Sequence, residues 1–144
     1  MTKSSDYDLK DFMPYLLNLA AERSSLDFQP HYKDKYGMLR TEWRVVFHLG
    51  RYGPMTAKAI CDRARIHKTK VSRAVAALEA KKFLNRSEMS NDRRLEQLSL
   101  TRRGTTAFEN LYAAARDFDA DLTAQFSEDE MRVLRSCLER IAGL

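Results

Sequence analysis

At 144 residues, with 25 Lys plus Arg against 20 Asp plus Glu and a formal net charge of +5, the chain suits one domain with one sizeable core, or a small domain with dimerisation arms, and leaves no room for two separate cores. No apolar run approaches the roughly 20 residues of a membrane span, and Met1-Thr2-Lys3-Ser4-Ser5-Asp6 lacks a secretory apolar region, so a cytoplasmic protein without membrane contact is expected. The charge is uneven: Thr56 to Arg103 holds 13 Lys plus Arg and 5 Asp plus Glu, a net of +8, whereas the rest holds 12 and 15, a net of −3. Such a concentration is the footprint of a phosphate-binding surface. A membrane-surface helix would need an exposed apolar face beside its basic one, and none is visible.

Pro14 suits the first turn of a helix, where its missing N–H costs nothing, and Leu16, Leu17, Ala20 and Ala21 follow at helical spacing. Pro30 is expected to stop or kink that helix, with a turn through His31 to Tyr36 that ends on Gly37. Phe28, Tyr32 and Tyr36 read as core or dimer contacts rather than a ligand cage. Thr41 is the expected N-cap of a helix carrying Trp43, Val46, Phe47 and Gly50, closed by the turn Tyr52-Gly53-Pro54, and Trp43 reads as a core anchor. Thr56 should cap the next helix, with Ile60 and Ala64 facing inward.

Along Lys68 to Glu79, Val71, Val75 and Leu78 fall at i, i+4 and i+7, one packed helical face. The opposite face, Lys68, Thr69, Ser72, Arg73 and Ala76, is short-sided and cationic. It would let a backbone enter a major groove about 12 Å wide while Arg, Ser and Thr reach phosphates and base edges. By itself, an ordinary solvated surface would look the same. Leu84 to Glu88 and Leu95 to Leu100 read as strands, joined by the polar loop Met89 to Arg94 with two arginines near its tip. Thr101 should cap a long helix through Phe108, Leu111, Tyr112, Ala115, Phe118 and Leu122 to about Gln125. Ser127 and Glu130 match a capping box before a last helix bearing Met131, Leu134, Leu138 and Ile141. Neither stripe could be buried on so small a head, and the heptads are too few and irregular for a coiled coil.

In order and spacing, Leu39-Arg40-Thr41-Glu42-Trp43-Arg44-Val45-Val46, Gly53-Pro54-Met55-Thr56, Lys68-Thr69-Lys70-Val71-Ser72-Arg73-Ala74-Val75, Asp92-Arg93-Arg94 and Leu98-Ser99-Leu100-Thr101-Arg102-Arg103-Gly104 resemble the winged helix-turn-helix of the MarR family of bacterial transcription regulators. The resemblance implies a mainly α fold with a small β-wing and a single domain over residues 1–144. Residues 38–103 would form the winged helix-turn-helix, and 7–37 and 104–144 the dimerisation helices. It further implies a homodimeric regulator of transcription, a repressor of a pseudo-palindromic operator whose half-sites lie roughly 34 to 36 Å apart, released by a small aromatic ligand. Ser72 and Arg73 would then read base edges, and Lys68, Thr69 and Lys70 would lie near phosphates. Arg94 would enter the minor groove with Asp92 orienting it, and Arg93 would hold the DNA backbone. Trp43, Arg44, Phe47, His48, Tyr112 and Arg116 would line the effector site, although the aromatics among them read equally well as core packing. Two positions depart from the family: Ala59 replaces the Glu that completes a capping box after Thr56, and Lys82 stands where Gly is usual. A lysine forced to φ > 0 would be strained by about 1 kcal/mol, so a slightly different helix end is expected instead.

Catalysis, metals and cofactors are not expected. His31, His48 and His67 are too scattered for a zinc signature, no Gly-rich phosphate loop or nucleophile motif is present, and Asp117, Asp119 and Asp121 read as a solvated acidic face. Cys61 and Cys137 read as buried, inert thiols. The alternatives are an oxidation-sensing regulator that uses one of them, and a winged-helix module that docks on proteins, since fold alone does not fix function.

Overall fold

The computed structural model describes residues 6–89 and 92–144, and for residues 92–94 the backbone alone. After a short 3-10 turn, helix α1 runs from Met13 to Tyr36 with Pro14 in its first turn. It passes straight through Pro30 instead of stopping there, so the expected turn from His31 to Tyr36 is helical. The physical reason lies in tertiary packing: Phe28 and Tyr32, on either side of the proline, are buried in the core, and their burial, about 1.5 to 3 kcal/mol for each large side chain, offsets the bond that proline removes. The helix ends on Gly37 in the left-handed conformation (φ 66°).

Helix α2 spans Arg40–Tyr52. Leu39 precedes it with no side-chain cap, which places Thr41 inside the first turn and corrects the expected N-cap. Glu42, at the third helical position, supplies the acidic group that such a helix start favours. Gly53 closes α2 as expected, its N–H bonded to the Leu49 carbonyl. A two-residue strand β1, Met55–Thr56, leads into α3, Ala57–Ala64, and Thr56 Oγ1 accepts from the Ala59 N–H at 3.1 Å. The missing glutamate therefore leaves the cap itself intact.

Helix α4 covers Lys68–Ala80, capped by His67, whose Nδ1 accepts from the Thr69 N–H. Strands β2 (Leu84–Met89) and β3 (Asp92–Leu100) form the wing, and β1 pairs with the outer edge of β3 in a three-stranded antiparallel sheet of order β1-β3-β2. That third strand was not foreseen, because two residues carry no periodicity. Helix α5, Arg102–Thr123, is capped by Thr101, and α6, Glu128–Ala142, opens on the complete Ser127–Glu130 capping box.

The core lies where α2, α3, α4 and the sheet converge. Val45, Val46, Ile60, Val71, Val75, Leu78, Phe83, Leu84, Leu98 and Leu111 are all at most 2% exposed. Trp43 packs against this cluster half-buried. The ends of α1 and all of α6 contribute nothing fully buried beyond Phe28 and Tyr32. Cys61 and Cys137 are free and half-buried rather than buried.

Candidate nucleic-acid interface

The turn between α3 and α4 sets the geometry of the reading surface. Arg65 adopts the left-handed conformation (φ 55°), Ile66 folds into the core, and His67 starts α4. With Val71, Ala74, Val75 and Leu78 anchored inward, Lys68, Thr69, Lys70, Ser72, Arg73 and Ala76 are all exposed. Lys68, Thr69, Ser72 and Arg73 share an open hollow with Ala57, Lys58, Cys61 and Asp62 of α3. Lys58 and Asp62 pair with each other at 3.2 Å.

Arginines of the head divide by what already holds them. Arg86 bridges Glu79 at the end of α4 (3.0 Å) and Glu96 on β3 (3.1 Å), and the bond to Glu96, then that to Glu79, raises its pKa. It braces the wing against α4. By contrast, Lys68, Lys70 and Arg73 make no ion pair among the described residues, so their charge is left to a partner. The side chains of Asp92, Arg93 and Arg94 lie outside the described residues.

Three cations tie the reading helices to the rest of the chain by donating to carbonyls at helix C-termini, where the dipole favours positive charge. Arg44 of α2 donates to the Ala64 carbonyl that ends α3 (3.0 Å), and Arg65 to Ala142 at the end of α6. Lys81, just after α4, donates to Gly37 O (2.6 Å) and to the buried carboxylate of Glu42 (2.7 Å).

A second concavity opens between α1, α2 and α5. Its lining includes Ser24, Ser25, Phe28, Tyr32, Arg40, Trp43, Arg44, Phe118 and Asp119. Of the residues expected around an effector, Trp43 and Arg44 line it. Phe47 and Tyr112 stack on each other nearby (6.2 Å) and His48 bonds the Arg44 carbonyl; with the exposed Arg116, they are not part of the lining. Arg40, one turn before Arg44, was the missed signal: an i, i+4 pair of arginines on one helix. Glu22 (3.3 Å), and after it Tyr32, raise the pKa of Arg40 through hydrogen bonds. Burial, and then the charge of Arg40, lower that of Arg44. Among the described residues no group of three or more His, Cys, Asp or Glu could hold a metal, and no helix is long and apolar enough to cross a membrane.

Residues 36–95 match the model of the MarR family. Among curated proteins, the chain is 26% identical over 85% of its length and 72% of the relative's to the HTH-type transcriptional regulator YwaE of Bacillus subtilis. It is 28% identical, over 68% of its length and 63% of the relative's, to the transcriptional repressor MdtR of the same organism. Among solved structures, a MarR/EmrR family regulator from Acinetobacter sp. ADP1 superposes with a TM-score of 0.85 at 26% identity, covering 95% of this chain and 96% of that one. Two others share the fold at lower identity: S. aureus MepR in complex with DNA (TM-score 0.81, 19%, covering 90% and 94%) and PcaV of Streptomyces coelicolor with its natural ligand (0.82, 16%, 95% and 96%). Four of these five are named as transcriptional regulators or repressors, and the fifth is bound to DNA.

Proposed function

Since the chain belongs to the MarR family of transcription regulators and carries its DNA-binding winged helix, we propose that it is a homodimeric repressor of a pseudo-palindromic operator, acting in the cytoplasm and released by a small aromatic acid. The observation that carries the DNA-reading part is the divided face of α4: four residues buried on one side, and on the other, exposed with Thr69 and Ser72, three cations that make no ion pair among the described residues. Ser72 and Arg73 read base edges, Lys68, Thr69 and Lys70 meet phosphates, and Arg94 enters the minor groove from the wing, oriented by Asp92, while Arg93 holds the DNA backbone. Residues 38–103 form the reading head, and residues 7–37 and 104–144 the dimerisation arms. The repressor role is supported by the likeness to MdtR.

The effector reading rests on the groove between α1, α2 and α5, where aromatic walls meet two guanidinium groups and two serine hydroxyls. An aromatic carboxylate matches that combination. Asp119 on the opposite wall would repel a second negative charge and favours a ligand with one.

The test begins with selecting a preferred duplex from random sequences, then titrating it and a scrambled control at several salt concentrations. Arg73→Ala should lose about 1 to 3 kcal/mol of discrimination, as for a guanidinium bidentate to guanine. Arg94→Ala should weaken binding to both duplexes and make the salt dependence shallower by about one ion. If the protein selects no duplex and neither substitution changes binding, docking on a protein becomes the better reading.

A further inference from the structure

Arg44 belongs to two places at once. It lines the groove between α1, α2 and α5, and its Nη2 donates to the carbonyl of Ala64 at 3.0 Å. Ala64 is the last residue of α3, 8% exposed, and a terminal carbonyl has no partner within its own helix. The residues after it, Arg65 to His67, are the turn that aims α4. One guanidinium thus joins the groove to the joint of the DNA-reading unit.

We propose that the bond from Arg44 to Ala64 is the switch between the groove and the reading head: intact, it holds α3 and its turn in the operator-binding arrangement, and an anion in the groove breaks it by drawing the guanidinium away. This inference rests on the effector reading above for the identity of the anion, but not for the link itself. The competition favours a carboxylate, because a charge-assisted, two-pronged pair is stronger than one bond to a neutral carbonyl. Arg40 is already matched by Glu22. Arg44, exposed at the rim of the groove, makes no ion pair among the described residues, and partial desolvation together with the charge of Arg40 lowers its pKa, so an entering anion meets an uncompensated cation. Once Arg44 turns to the ligand, the buried Ala64 carbonyl loses its donor, and the end of α3 must move to find water. Linkage then requires operator DNA to weaken the anion's binding by the same factor as the anion weakens the operator's.

The test uses the full-length protein, its selected duplex, benzoate as the anionic probe and benzamide as its neutral counterpart. Benzoate, and not benzamide, should lower duplex affinity of the unaltered protein by a factor within the usual range of about 5 to 150. Arg44→Met keeps the apolar stem but neither bond. Without any ligand it should already bind the duplex about ten-fold or more weakly, and benzoate should lower it no further. Arg44→Lys, which still reaches a carbonyl, should recover part of the ligand-free affinity, with circular dichroism confirming that both variants fold. Equal duplex affinity of Arg44→Met and the unaltered protein would overturn the switch, as would an undiminished benzoate response in Arg44→Met. If benzoate leaves the unaltered protein on its duplex while Arg44→Met still binds weakly, the aromatic-acid reading falls and the Arg44–Ala64 link stands.

Discussion

Lys82 stands at φ 66° in the closing turn of α4. The expected escape, a displaced helix end, does not occur. The Lys82 N–H bonds Glu79 O and the Phe83 N–H bonds Leu78 O, both at 2.9 Å, which is the paired pattern of a Schellman ending with lysine in the place that favours glycine. Phe83, 1% exposed, explains why the strain is tolerated: the reversal delivers its ring into the core. Lys82→Gly should relieve about 1 to 2 kcal/mol of left-handed strain against about 0.5 to 1 kcal/mol of added chain entropy. The expected net gain lies between zero and about 1.5 kcal/mol, read as a rise in thermal midpoint of roughly 2 to 4 °C for each kcal/mol gained. A lower midpoint would mean that the lysine side chain contributes more than its backbone costs.

Between elements, the contact with the greatest leverage is Lys81 on Glu42. Glu42 is the one buried charged residue among those described, 3% exposed, and the bond at 2.7 Å joins the end of α4 to the first turn of α2. Lys81→Met would strand a carboxylate in the core. Breaking a buried pair costs about 3 to 5 kcal/mol, and the low end applies because the Lys81 side chain is 36% exposed and water can partly replace it. Urea denaturation should show that loss for Lys81→Met and a clearly smaller one for Glu42→Gln, which keeps an acceptor without the charge. Equal losses would assign the stability to packing rather than to charge. Gly50 and Gly104 set two further close approaches, since a Cβ on Gly50 would strike the ring of Phe108 and one on Gly104 the Phe83 carbonyl. The second obstacle is backbone and cannot rotate away.

For the molecule as a whole, the arms are the unfinished part. Leu16, Leu19 and Leu26 of α1, Leu122 of α5, and Val133, Leu134, Leu138 and Ile141 of α6 are 39% to 58% exposed in the single chain. A surface of that size on helices that bury little within the chain calls for a partner, and in the proposed homodimer a second copy would cover it and give the reading head its two-fold mate. Deleting residues 127–144 should therefore abolish the dimer in sedimentation, or render the protein insoluble. A truncated protein that stays dimeric and keeps full duplex affinity would exclude α6 from the interface.

Much of this was legible in the sequence wherever a local rule decided the outcome. The inward stripe of α4, the caps at Thr56 and Thr101, and the capping box at Ser127 and Glu130 depend on spacing within one turn of helix, and each is where the residues place it. The same spacing exposed Lys68, Lys70 and Arg73. Elsewhere the local rule lost to contacts distant in sequence. Pro30 does not end α1, because Phe28 and Tyr32 are anchored by Trp43 and Phe118. Lys82 takes the left-handed turn because Phe83 must be buried, and β1 exists because Met55 and Thr56 find Leu98 and Gln97 to pair with. The groove belongs mostly to this second kind: Arg40 and Arg44 share one face of α2 by spacing alone, but Ser24 and Asp119 carry no motif in common with them, and only the packing of α1, α2 and α5 brings them together. The Arg44–Ala64 bond, spanning 20 positions, is likewise a product of how α2 crosses α3, since no periodicity along one chain segment encodes a contact between two.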